Sequence, residues 1–110
     1  MFLIVSKYLI PKGYAGLTFF PFIILKSKYY LTNETTINHE KIHIRQQLEL
    51  LVLPFYAIYF TNLFLNFLKY KNFQKAYRNI IFEREAYANE KNLDYLKSRS
   101  FWKFVKYLKS

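Results

Sequence analysis

Residues 37–53 read INHEKIHIRQQLELLVL, with no glycine or proline across the whole stretch. In the preceding residues, LTNETT (31–36), Thr32 or Asn33 can accept hydrogen bonds from the first free backbone N–H groups of a helix, and Glu34 suits its positive end. The spacing therefore predicts one long helix over about residues 33–53, ending as Pro54 approaches. Both histidines of the chain, His39 and His43, lie in this stretch, four positions apart, with Glu40 directly after the first. Residues four apart share a helix face, so the two imidazoles can converge on one point.

Working outward, residues 2–10 (FLIVSKYLI) are rich in β-formers and stop at the turn-forming PKG (11–13). Residues 17–31 (LTFFPFIILKSKYYL) add a second β-rich run, in which Pro21 points to an edge strand or a bulge. The two runs predict a small antiparallel sheet over residues 1–31, ahead of the helix at 32–53. After that helix, residues 50–68 carry no charge, and a break at Pro54 leaves about 14 apolar residues, short of the ~20 that cross a bilayer. In this apolar segment (54–70), Tyr59, Asn62, Asn66 and Lys69 recur at spacings of three and four, a polar stripe on a buried or membrane-surface helix. KYKNFQKAYRN (69–79) reads as a basic connection and residues 78–97 as a charged helix. SRS (98–100) breaks it before a basic amphipathic tail, with Phe101, Phe104, Val105 and Leu108 opposite Lys103, Lys106 and Lys109. The class is α+β: a small N-terminal sheet followed by three to four helices in a single domain of 110 residues.

The chain is 53% hydrophobic and 22% aromatic, which excludes a disordered polar polymer. The net charge of +10 is unevenly spread, since residues 69–110 hold eleven Lys and Arg against four Asp and Glu. A basic region of this kind can meet an anionic membrane surface, an acidic partner or nucleic acid, and no nucleic-acid-binding motif accompanies it. The absence of cysteine excludes disulfides and thiolate metal sites and fits a cytoplasmic chain, in contact with a membrane surface if the apolar segment is used that way. The N-terminal MFLIVSKYLIPKG has neither a basic start nor a small-residue cleavage site, so no secretory signal is expected.

His39, Glu40 and His43 form H-E-x-x-H, a spacing with a mechanism: two imidazoles bind Zn2+ and the glutamate holds the attacking water. A catalytic zinc site needs a third protein ligand. Glu49, six residues after His43, has suitable chemistry, but no glycine turns the chain back. On a continuing helix it lies about 120° away from His43. The later FEREAYANE (82–90) offers Glu83, with the small Ala86 allowing a close helix approach, and alternatively Glu85.

NHEKIHIRQQ followed some forty residues later by FEREAYANE resembles the gluzincin zinc metallopeptidases, most of all the single-domain minigluzincins and the catalytic core of the CAAX and heat-shock membrane proteases. The resemblance implies zinc held by His39, His43 and Glu83, with Glu40 as general base acting on a peptide or protein substrate. It also implies a substrate strand added along an edge strand, for which PFIILKSKYYL (21–31) stands in the matching position. The family's aspartate after the alanine is replaced by Tyr87, leaving Glu90 to orient a ligand; the shifted frame Glu85-x-x-Ala88-Asn89 keeps Glu85 open as the ligand. With no third histidine, a tyrosine such as Tyr87 is the candidate oxyanion donor. Two rival readings remain: a catalytically weak interaction protein on the same fold, and a membrane-surface binder using the basic C-terminal region. A tail lying across the cleft would make the enzyme latent.

Overall fold

The computed structural model describes residues 2–10 and 14–108. The predicted turn at Pro11–Gly13 and the face position of Lys109 lie outside the described residues. Three short strands, β1 (Phe2–Val5), β2 (Gly16–Phe19) and β3 (Phe22–Leu25), form one sheet in the order β1-β3-β2. β2 and β3 are an antiparallel hairpin closed at Phe19 and Phe22, whereas β1 runs parallel to β3 with Phe2 opposite Phe22. The sheet is therefore mixed, not antiparallel throughout.

The reason lies at the outer edge of β2. The Thr18 carbonyl accepts from Gln47 Nε2 and from the Tyr56 hydroxyl, and the Phe20 N–H donates to Gln47 Oε1 at 2.7 Å. With that edge tied to helices, β1 pairs with the remaining edge of β3. Pro21 sits in the two-residue turn between β2 and β3, so the run 17–31 is a hairpin and not one interrupted strand. β3 is consequently central, paired on both sides, and the expectation that 21–31 supplies a free edge strand is corrected.

After a 3-10 turn (Lys28–Thr32), α1 covers Glu34–Leu50; Asn33 is its N-cap and accepts from the Thr36 N–H at 3.1 Å. It ends at Leu51, whose φ of 63° turns the chain, and α2 (Val52–Tyr70) leaves at 112°. The break is one residue wide and precedes Pro54, which sits in the first turn of α2, where a missing N–H costs nothing. α3 (Phe73–Arg78) occupies part of the segment read as a connection, because the Asn72 side chain accepts from the Lys75 N–H at 3.0 Å and caps it.

The predicted helix over 78–97 is two pieces, α4 (Ile81–Asn89) and the single turn α5 (Tyr95–Ser98). The interruption is made by Asn38 of α1, whose amide Nδ2 reaches the carbonyls of Asn89, Glu90 and Asn92 at 3.3, 2.8 and 3.0 Å. Carbonyls bonded to another helix are lost to helix continuation.

Ile23 and Leu25 of β3 pack on Ile44 of α1, while Phe55, Phe82 and Phe104 join α2, α4 and the tail. The tail is a 3-10 helix (Lys103–Leu108), so residues three apart align: Phe104 is buried with Tyr107 packed beside it, while Val105 and Leu108 stay exposed; Phe101, ahead of the helix, is exposed too. It lies against α4, and among the described residues none of 98–108 lines the cleft described below.

Arg99 anchors the segment after α5. Its guanidinium donates to Glu85 Oε2 at 2.5 Å and to Glu49 Oε2 at 2.6 Å, and neither the Arg99 nor the Glu85 side chain has exposed surface. Arg99→Met leaves two buried carboxylates without their cation and should cost roughly 3–5 kcal/mol in urea unfolding; a loss under ~1 kcal/mol would show that these charges are solvated.

Candidate metal centre

The apolar positions of α1 are few, and its buried face is mostly polar: Asn38, His39, Glu40, His43, Gln46 and Gln47, joined by Ile42 and Ile44. Each of these polar groups has a partner, as buried polar groups must. α4 crosses α1 at Ala86, which is wholly buried against Ile42 and Tyr95, so the two backbones come close enough for side chains to meet.

At that crossing Glu83 Oε1 lies 3.1 Å from His39 Nε2 and 3.0 Å from His43 Nε2, and the two imidazole nitrogens are 3.2 Å apart. A tetrahedral zinc with ligands at about 2.0–2.1 Å sets its ligand atoms about 3.3 Å from one another. The three atoms thus stand close to the spacing such an ion requires, and these three residues are the group that could hold a metal among the described residues.

The outward ring nitrogens are also held. His39 Nδ1 lies 2.7 Å from Glu90 Oε1, which the end of α4 presents once Asn38 has bound the carbonyls there. His43 Nδ1 lies 2.8 Å from Gln46 Oε1. The Gln46 amide is fixed in orientation, because its Nε2 donates to the Phe82 carbonyl at 3.1 Å and to Glu85 Oε1 at 2.9 Å. Both Nδ1 atoms therefore face acceptors and carry hydrogen, so that a ring that loses its second proton turns its Nε2 lone pair to the common point.

Glu85, left open as a ligand, is instead ion-paired to Arg99, accepts from the Tyr95 hydroxyl at 2.6 Å and reaches the site only through Gln46. Glu49 pairs with the same arginine. The register with Glu83 is the one brought together with the histidines.

Glu40 Oε1 accepts from the Thr18 hydroxyl at 2.5 Å, and Oε2 faces Gly16, where a Cβ would sit 3.0 Å from it. Any larger residue at this position would crowd the carboxylate and the Ile24 carbonyl, 3.2 Å from the same Cβ. Both groups line a cleft of about 310 Å³, together with the two histidines, Glu83 and a wall that includes Phe55, Tyr56, Tyr59, Phe60 and Tyr77. Tyr59 donates to Glu83 Oε2 at 2.6 Å.

Tyr87 is not among the lining residues. Its ring meets His39 edge-on at 4.5 Å, Arg78 lies over it at 3.8 Å, and its hydroxyl bonds Tyr77. Burial and the Glu83 charge hold Tyr59 and Tyr77 well above the usual tyrosine range, so both remain O–H donors in the cleft. Gln46 and Tyr59 escaped the sequence reading. Their signals were the i+3 spacing from His43 and the polar stripe of α2.

Comparison with protein families, with curated proteins and with solved structures finds no match to this chain.

Burial alone lowers the His39 pKa, but hydrogen bonds to Glu83 and Glu90 outweigh it and push it up to about 10. The same contest raises His43 and, from the other side, holds Glu83 below the carboxylate range. In the metal-free protein, the stability that His39 contributes is complete below pH 6.5 and is lost as pH rises toward 10. That from Glu83 is present above its ordinary value of 4.5 and is lost as pH falls below it. The melting temperature after chelation should therefore peak between about pH 4.5 and pH 6.5, and a maximum near pH 9 would contradict the arrangement. Separately, Gln46→Ala removes the acceptor from His43 and should weaken zinc binding about 10–100-fold in a competition titration.

Proposed function

We propose that the chain is a small zinc metallopeptidase of gluzincin type. The observation that carries this reading is the convergence of His39 Nε2, His43 Nε2 and Glu83 Oε1 within 3.0–3.2 Å of one another beside Glu40. The H-E-x-x-H motif and the gluzincin resemblance of the two helices support it. The histidines and Glu83 fit zinc by donor type and spacing, with Glu90 and Gln46 fixing the imidazoles.

When bound there, zinc supplies a Lewis acid and acidifies water. Glu40 holds the attacking water through Oε2, the oxygen facing Gly16, while Thr18 fixes Oε1; it takes the proton and delivers it to the leaving amine. Tyr77 offers a hydroxyl in the cleft wall to a developing oxyanion, the Tyr59 O–H being committed to Glu83 Oε2. β2, not β3, is the strand beside the cleft, and the backbone groups of Gly16 share the outward edge with Thr18. An extended peptide laid beside β2 meets the Gly16 end of that edge next to Glu40, the Thr18 carbonyl being held by Gln47 and Tyr56.

Purified protein should bind one zinc per chain and cleave unstructured peptides. His39→Ala or His43→Ala should lose both properties. Glu40→Gln should keep the zinc and lose at least about 100-fold in kcat. A Glu40→Gln variant as active as the wild type on a peptide library would overturn the mechanism.

A further inference from the structure

α2 is inside out. Its polar stripe turns toward the protein: Tyr59 holds Glu83, Asn62 Oδ1 accepts from the Ile81 N–H at 2.8 Å, and Asn66 Nδ2 donates to the Ala76 carbonyl at 3.1 Å. The opposite face is apolar and open. Phe60, Phe64, Phe67 and Leu68 fall within an arc of about 100° and are all exposed, Phe64 at 61%. A helix that sends its amides inward and its phenyl rings outward is suited to surroundings less polar than water. Phe60 also lines the cleft, as does the half-exposed Phe73, so this face reaches the cleft mouth.

Charge selects the occupant. Between Glu49 and Glu83 the chain has no acidic residue, and the exposed Lys69, Lys71 and Lys75 stand at and just beyond the C-terminal end of α2. Lys69 and Lys75 both lie over the Tyr70 ring, at 5.1 and 4.9 Å. A second copy of the chain would bring together two molecules that each carry +10. An anionic bilayer offers phosphates to the lysines and acyl chains to the phenyl rings.

We propose that α2 lies in the surface of an anionic membrane, apolar face down, with the mouth of the cleft beside the lipid. Among the described residues no single helix is long and apolar enough to cross a membrane. The bent pair α1–α2 meets the length and composition of a span only together, and the polar side of α1 is buried in this domain. The proposal does not depend on the metal site.

The test is sedimentation of the full chain with vesicles of phosphatidylglycerol and phosphatidylcholine, against phosphatidylcholine alone. The anionic vesicles should bind at least tenfold more tightly, with binding weakened by added salt. Phe64→Ser with Phe67→Ser and Leu68→Ser should cost at least tenfold, as should Lys69→Glu with Lys71→Glu and Lys75→Glu, while helix content by circular dichroism is kept. If the triple serine variant loses its helix, Phe64→Ser alone serves, with an expected loss of about threefold. Lys103→Glu with Lys106→Glu in the tail should change binding less than twofold. Equal binding to both vesicles, insensitivity to the α2 variants, or loss through the tail variant overturns the proposal. So does a wild-type dimer that the serine variant converts to monomer, which would assign the face to a second copy.

Discussion

The contact on which this structure rests is the Glu83 carboxylate set between two imidazoles. Glu83 is 4% exposed and sits on a short helix that also buries Phe82 and Ala86. A buried carboxylate without compensation costs several kcal/mol. Here His39 and His43 face one of its oxygens, and Tyr59 donates to the other. α1, α2 and α4 are thereby committed to one arrangement, since each supplies part of the shell. A metal ion in the same place would take over the role that the imidazole protons play without it.

Around that contact the usual distribution of polarity is reversed in two helices. α1 turns amides, imidazoles and a carboxylate inward, and each finds a bond: Asn38 ends α4, Gln46 orients His43, and Gln47 holds the edge of β2. The core that remains for apolar packing is correspondingly small and divided into separate clusters. α2 likewise turns Tyr59, Asn62 and Asn66 inward, and it leaves phenyl rings at the surface. A stability-optimised domain of this size would do neither. Both departures stand beside the same cleft, which is lined by His39, Glu40 and His43 of α1 and by Phe60 of α2.

Much of this was legible in the sequence because it depends on local chemistry. The Asn33 cap, the uninterrupted run to Leu50, the common face of His39 and His43, and the exclusion of Glu49 by helical angle need no knowledge of distant residues. Ala86 marked the helix crossing because only a small side chain lets two backbones approach. What was not legible depends on partners remote in sequence. β1 pairs with β3 because Gln47 and Tyr56 occupy the edge of β2, more than 25 positions away in sequence. The helix predicted over 78–97 stops because Asn38 captures its carbonyls, and Glu85 is withdrawn from the site by Arg99. The turn into α2 falls at Leu51, a non-glycine residue at positive φ, while the nearby proline drew attention instead. The 3-10 winding of the tail changed its period from 3.6 to 3, which put Val105 and Leu108 on the surface away from Phe104, while Phe101 precedes the winding.

The central claim is that His39, His43 and Glu83 form one coordination shell. X-ray absorption at the zinc edge, on the chain loaded with one equivalent of zinc, tests it most directly. The structure predicts scattering from two imidazole nitrogens and carboxylate or water oxygens at about 2.0–2.1 Å, reduced to one imidazole in His43→Ala. A shell of oxygens alone, or a chain that takes up no zinc at one equivalent, would contradict it.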